Sequence, residues 1–214
     1  MSDESRHAHP APTPEWIAQP APLGERFDAA LELAANAHRA QRRKGGEIPY
    51  IGHLLGVCSL VIEEGGSEDE AVAALLHDIV EDQGGSARLD EVRDRFGDQV
   101  AMIVEGCSDR IDEKDELPWR ERKERYLAEL DSHPTEVLIV SLADKLYNAR
   151  AVERDYRAYG ESFWSRFNGG REGTLWYYTA LSEAFDRLMP ECRMTAELRA
   201  VVATLNDAAA SVQH

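Results

Sequence analysis

Cysteine is scarce in this chain: Cys58, Cys107 and Cys192 lie far apart among 214 residues and form no CxxC pair. That excludes a disulfide framework and a zinc knuckle, and reads as free, buried thiols in a reducing compartment. No apolar run is long enough to span a bilayer, and the N-terminus has no basic-then-apolar leader pattern. The expectation is a cytoplasmic protein without a membrane partner. Basic residues are outnumbered, with 24 Lys and Arg against 40 Asp and Glu, for a formal net charge of -16. A general surface for nucleic acid or anionic membrane needs the opposite balance. A small anionic ligand is still allowed, because it needs only a local positive pocket, and a bound metal would add to that locally. A β pattern is also missing. Only "VLIVSL" at 137–142 has strand composition, and it runs without a breaker into helical sequence.

What is present is helical. Residues 1–24 are rich in proline and alanine and show no period, so they read as a disordered tail, with His7 and His9 solvent-exposed in it. From Glu25 apolar residues recur at three- and four-residue steps through Phe27, Ala30, Leu31, Ala34 and Ala37. "RAQRRKGG" at 39–46 ends that helix. His53 opens an apolar helix closed by Gly65 and Gly66. "SEDEAVAALLHDIVED" at 67–82 reads as one helix, with Ser67 as N-cap and Glu70 completing a capping box. Further helices follow around Leu89, Val92 and Phe96, over "QVAMIVEGC" with Asp98 as cap, and through Trp119, Tyr126, Leu127 and Leu130. A long helix opens at Thr135, and two more lie on either side of Pro190. The fold class expected is an all-α, compact multi-helix bundle over residues 25–214.

The stretch "ALLHDIVEDQ" poses the chemical question. His77, Asp78, Glu81 and Asp82 end an apolar run, where burying charge is costly unless it is paired or bound to a metal. His77 and Asp78 are adjacent and can reach one ion. Glu81 and Asp82 follow four residues after each, on the same helical face, and can overlook the ion without ligating it. His53 is the best third ligand and Asp144, in "SLADKLYN", the best fourth. Structural alternatives stand beside this: His53 capping its helix, or Asp144 paired with Lys145 or Arg150.

The pattern H…HD…D resembles the HD-domain metal-dependent phosphohydrolases. More closely, "QRRKGGEIPYIGH", "ALLHDIVED", "RFGDQVAMIVEGCSD" and "SLADKLYNAR" resemble the hydrolase domain of the RelA/SpoT alarmone enzymes, in the same order and spacing from Ala29 to about Tyr156. The chain stops before a synthetase domain would fit, so it is similar to the stand-alone small alarmone hydrolases, which include the metazoan SpoT homologues. The resemblance implies an HD-domain bundle and removal of pyrophosphate from the 3′ position of (p)ppGpp with one Mn²⁺ per chain. By position it makes His53, His77, Asp78 and Asp144 the metal ligands. Two imidazoles and two carboxylates suit Mn²⁺, although such a site cannot select that ion by affinity alone. It makes Glu81 and Asp82 the residues that orient or deprotonate the attacking water. It matches Arg43 and Lys44 to the pair that holds base and phosphates, and Asn148 to a ribose or phosphate contact. Arg43 and Lys44 could equally complement a helix C-terminus.

Departures from the family cluster on the substrate side. Gln83 stands where Thr is usual, Ser108 replaces a Thr, and Gly46-Glu47-Ile48 reads as a one-residue insertion. Trp119 falls near a phosphate-binding lysine of some relatives, with Arg120, Arg122 or Lys123 as substitutes. Arg171 could reach a phosphate, and Trp176 or Tyr178 could wall the base or simply pack in the core. The leading expectation is therefore a Mn²⁺-dependent 3′-pyrophosphohydrolase of (p)ppGpp or (p)ppApp. The partner would be a small nucleotide, the chain a monomer or homodimer, with a functional link to an alarmone synthetase. The alternatives are an NADPH 2′-phosphatase or other nucleotide phosphohydrolase, and a non-catalytic nucleotide-sensing or toxin-neutralising binding protein.

Overall fold

The computed structural model describes residues 22–44, 46–108 and 117–210. The tail read over 1–24, including His7 and His9, falls almost wholly outside them, as do residues 109–116 of the charged segment. The described chain is all-α. Its helices are α1 Glu25–Ala37, α2 Ile51–Glu63, α3 Glu68–Leu76, α4 Ile79–Gln83, α5 Gly85–Phe96, α6 Asp98–Cys107, α7 Trp119–Glu129, α8 Thr135–Tyr159, α9 Gly170–Leu188 and α10 Arg193–Ala210. One isolated bridge pairs Arg42 with Pro49, and no strand forms among the described residues. "VLIVSL" is helical, inside α8.

Two elements form the centre. In α3 every residue from Ala71 to Leu76 is fully buried. The small side chains of Ala71, Ala73 and Ala74 let α1, α2, α6 and α8 close around it. The first half of α8 is as deeply buried, through Val140, Leu142, Ala143 and Leu146. α2 packs on both, α5 on α6, and α10 covers α8 and α9. The Ser67–Glu70 capping box forms as expected: Ser67 Oγ accepts from the Glu70 N–H, and Glu70 accepts from the Ser67 N–H at 2.6 Å. Cys58 is buried and its thiol is pushed up to about 12 by burial, and all three cysteines are free. No described helix is long and apolar enough to cross a membrane.

The structure corrects three local expectations. The segment 67–82 is not one helix: it breaks at His77 and Asp78, between α3 and α4. The His77 Nδ1–H donates to the Ala74 carbonyl at 2.8 Å, the acceptor that the Asp78 N–H would use in an unbroken helix. The cap of α6 is Gly97, at φ 95°, rather than Asp98, which is the first helical residue. Pro134 rather than Thr135 caps α8, and α2 starts at Ile51, so His53 sits inside the helix and does not cap it.

Gly56 sets the approach of α2 to α8. A Cβ there would lie 2.0 Å from the Tyr147 ring, whose hydroxyl donates to the Gly52 carbonyl at 3.1 Å. The same ring lies 5.2 Å from the His53 ring. Gly56→Ala must push Tyr147 out of place, and is expected to destabilise the fold by about 1–3 kcal/mol, the usual cost of overpacking. Urea unfolding of the two proteins measures this, and an unchanged midpoint would show that Tyr147 is free to move.

Candidate active site

The break between α3 and α4 turns His77 and Asp78 towards α2 and α8. His53 on α2 is 1% exposed and His77 2%, so neither imidazole is solvated. Their Nε2 atoms stand 3.3 Å apart. Asp78 Oδ2 lies 3.0 Å from His77 Nε2 and 3.3 Å from His53 Nε2. Asp144 Oδ1, from the buried stretch of α8, lies 3.3 Å from His53 Nε2 and 3.7 Å from His77 Nε2. The residues read as a ligand set thus meet at one point, and His53, His77 and Asp144 have the mutual spacing that could hold a metal ion.

The chemistry of this set fits a cation. His77 commits its Nδ1 proton to Ala74, so the Nε2 of the neutral ring is an acceptor facing other acceptors. Only protons or a positive ion at the centre can satisfy all four groups. Without an ion, protons do so in part. Burial alone would lower the His77 pKa, but Asp78 and Asp144 outweigh it and hold the imidazole well above its ordinary value. Burial would likewise raise both carboxyls. His77 and a hydrogen bond from His53 hold Asp78 well below the carboxylate range, and Lys145 and the imidazoles do the same for Asp144. Two nitrogen and two hard oxygen donors suit a divalent first-row ion.

A supporting layer orients these groups. The Tyr50 hydroxyl donates to Asp78 Oδ2 at 2.6 Å. Lys145 Nζ donates to Asp144 Oδ2 at 2.7 Å, leaving Oδ1 towards the imidazoles, where Asn148 Nδ2 also donates to it at 2.6 Å. The Asp144–Lys145 pair therefore coexists with the cluster, while Arg150 pairs with Glu197 instead. Such outer partners fix ligand orientation. Tyr50 lies within the quoted stretch "QRRKGGEIPYIGH", but nothing in its spacing marked it as the partner of Asp78.

Glu81 and Asp82 lie on α4, half-buried and exposed respectively. Gln41 bridges Asp82 and Gln83 to the end of α1: its Nε2 donates to Asp82 Oδ2 at 2.7 Å, while its Oε1 accepts from Gln83 Nε2 at 2.6 Å and meets His38 Nδ1 at 2.7 Å. Gln83, the departure from the family's Thr, thus holds Gln41 in place. Protein packed on one side of the Asp82 carboxyl raises its pKa, the Gln41 hydrogen bond works against this, and the Asp78 charge adds to the rise.

Beside the cluster opens a cavity of about 510 Å³. Tyr50, His53 and Asn148 belong to both cavity and cluster. Arg43 and Lys44 line it, held by a loop in which the Arg43 N–H donates to the Ile48 carbonyl at 2.9 Å. Arg43 also donates to Asn148 Oδ1 at 2.6 Å. Because α1 ends at Ala37 with no basic residue in its last turn, Arg43 and Lys44 do not complement that helix end. Tyr178 lines the cavity, but Trp176 does not: it packs against Trp119 and under the Arg120 guanidinium. Arg171 is also a correction. It hydrogen-bonds the Ala209 carbonyl and faces Glu161, tying α9 to the end of α10, away from the cavity wall. Arg120, Arg122 and Lys123 do not line the cavity either. Arg154 and Arg166 do. Sequence reasoning missed them: Arg154 lies beyond the quoted stretch "SLADKLYNAR", and Arg166 lies beyond the resemblance that ends near Tyr156.

The all-α scaffold brings two imidazoles and two carboxylates to one buried point beside a cavity lined by four cations, a donor set that could hold a metal ion. The HD domain family matches residues 30–175, and the chain belongs to that family. It is 43% identical over 128 residues to the guanosine-3′,5′-bis(diphosphate) 3′-pyrophosphohydrolase MESH1 of Mus musculus, covering 58% of this chain and 68% of that protein. The MESH1 of Xenopus tropicalis is 43% identical over 135 residues, covering 59% and 72%. A solved structure described as a metazoan ortholog of SpoT that hydrolyzes ppGpp superposes with a TM-score of 0.67 at 27% identity, over 83% of this chain and 94% of that one.

Tyr50→Phe removes only the hydroxyl that holds Asp78. It is expected to weaken divalent-metal binding by roughly 10- to 100-fold, the range for outer-layer partners. Asp144→Ala is expected to abolish the rise in Tm that added metal gives the wild type. A metal-induced shift that survives Asp144→Ala would remove that residue from the ligand set.

Proposed function

We propose that this protein is a divalent-metal-dependent 3′-pyrophosphohydrolase of a purine nucleotide, with guanosine-3′,5′-bis(diphosphate) as the first candidate substrate and Mn²⁺ as the ion. The observation that carries the reading is the convergence of His53, His77, Asp78 and Asp144 next to a cationic cavity in an acidic chain. The activities by which its relatives are named support it. His53, His77, Asp78 and Asp144 would hold the ion, which when bound lowers the pKa of water and neutralises phosphate charge.

The chain's own groups supply the rest. Glu81 and Asp82 orient the attacking water and take its proton. Gln41 is a positioning residue that fixes the Asp82 carboxylate. Arg43 and Asn148 bridge cluster and cavity, where they would hold the substrate between the scissile phosphate and the base. Arg43 offers paired donors and a stacking plane, whereas Lys44 offers a point charge. The oxygen of water forms a bond to the phosphorus next to the ribose as the bond to the 3′ oxygen breaks. Pyrophosphate leaves and the 3′ hydroxyl takes a proton.

The test is incubation of purified protein and Mn²⁺ with ppGpp, pppGpp, ppApp, pppApp and NADPH, with chromatographic identification of products. The expected product is pyrophosphate from a 3′-pyrophosphorylated nucleotide. Release of inorganic phosphate from NADPH alone, or no product from any of them, overturns the reading. Glu81→Gln or Asp82→Asn should keep metal and nucleotide binding but lower turnover by roughly 10²-fold or more, on general acid–base magnitudes. Gln41→Ala removes the hydrogen bond that favours charged Asp82. The Asp82 pKa then rises further, so the base is lost sooner as pH falls, and the acid limb of the pH–rate profile should move to higher pH.

A further inference from the structure

His38 is the C-cap of α1 and only 2% exposed, a third buried imidazole outside the ligand set. Its backbone ties it to that helix. The His38 N–H donates to the Ala34 carbonyl at 3.0 Å, and the His38 carbonyl accepts from the Gln41 N–H at 3.0 Å. The side chains meet again, with His38 Nδ1 2.7 Å from Gln41 Oε1. The Gln41 amide can point only one way. An ionised carboxylate has no proton to give, so towards Asp82 Oδ2 the amide must present its Nε2–H. That turns Oε1 towards His38, where only a protonated Nδ1 can pair with it. The other tautomer would set two acceptors against each other at 2.7 Å. It would also put an N–H at Nε2, which is buried with no partner among the described residues. Burial holds the His38 pKa below its ordinary value, outweighing the Gln41 hydrogen bond and the charges of Asp78 and Asp82, while His77 adds to the fall. The ring is therefore a neutral donor.

A carbonyl oxygen has two lone pairs, and Gln41 Oε1 uses both. One takes the Gln83 Nε2–H, from α4, the element that also carries Asp82. Held by that bond alone, the amide would move with α4. The His38 bond anchors it to α1 instead. The His38 ring also stacks on Tyr50, with centroids 5.3 Å apart and planes 20° apart. Tyr50 donates its N–H to the Gln41 carbonyl at 3.1 Å and its hydroxyl to Asp78. One imidazole thus touches both the residue that holds Asp82 and the residue that holds Asp78. We propose that His38 is a positioning residue: its Nδ1–H sets the direction of the Gln41 amide, and so the place of the Asp82 carboxylate beside the ligand set, while its ring face braces Tyr50. The task of Asp82 rests on the proposed hydrolase reading, but the chain of hydrogen bonds from His38 to Asp82 does not.

The first measurement is nitrogen NMR of the histidine rings in the wild type without metal, with His38 assigned by the signals lost in His38→Asn. The expected result is a proton on His38 Nδ1, the minor tautomer of a neutral imidazole in water. A ring without a proton on Nδ1 overturns the proposal. This reading is taken on the wild type, so it stands even if a variant folds poorly. Turnover of guanosine-3′,5′-bis(diphosphate) then separates the donor from the ring. His38→Phe keeps a flat ring against Tyr50 and loses the donor. It is expected to lower kcat by about three- to tenfold, the weight of one neutral hydrogen bond, with KM changed by less than about twofold. His38→Asn places an N–H as many bonds from the backbone as Nδ1, and should restore kcat to within about twofold of the wild type. An equal fall in both variants shows that only packing was lost, and overturns the positioning role, as does no fall in either. If the wild type turns over no nucleotide, the hydrolase reading fails by itself, and the Gln41 side-chain amide signal decides in place of kcat. That signal should move in His38→Phe and hold in His38→Asn. An unmoved signal in His38→Phe overturns the proposal.

Discussion

Four acceptors meeting at one buried point are the constraint on which this structure depends. His53 and Asp144 come from α2 and α8, His77 and Asp78 from the break between α3 and α4, and the imidazole–carboxylate pairs approach to between 3.0 and 3.7 Å. Bare, they would repel one another and lose hydration. Their mutual cost is met by the protons they share and by the donors around them, Tyr50, Lys145 and Asn148. A cation would meet it more fully. The packing serves this convergence. Alanines in α3 let four helices close on it, and Gly56 lets α2 sit against Tyr147 on α8. The helix break at His77 arises from the same imidazole that faces the centre, because its other nitrogen takes a backbone carbonyl.

The electrostatics are arranged against the average of the chain. A surface at net charge -16 repels a polyanion at long range. Four cations nonetheless line one cavity, on the loop bearing Arg43 and Lys44 and on the segment from Arg154 to Arg166. Arg43 links the two functions of the site, since Asn148 connects it to Asp144 through two hydrogen bonds of 2.6 Å each. A ligand that moves Arg43 is therefore felt at the cluster. The Gln41 bridge plays the corresponding part on the other side, between the end of α1 and the Asp82 carboxylate.

Much of this was legible in the residues themselves. The three- and four-residue apolar steps marked the helices, and the Ser67–Glu70 box marked the start of α3, because both depend on local geometry that a short window contains. A His-Asp pair at the end of a fully apolar run, and an Asp within another, announced a shared centre, because burial leaves charge few other options. What the sequence by itself determined is therefore the helical class and the set of groups that converge. Tertiary structure alone decided the rest. The interruption at His77, the Tyr50 and Gln41 partners, the placement of Arg171 away from the cavity and of Arg154 and Arg166 on its wall all follow from contacts between segments. An arginine's spacing along the chain states its charge but not the direction of its long, flexible side chain. That direction is set by which carbonyl, carboxylate or aromatic face the packed helices bring within reach.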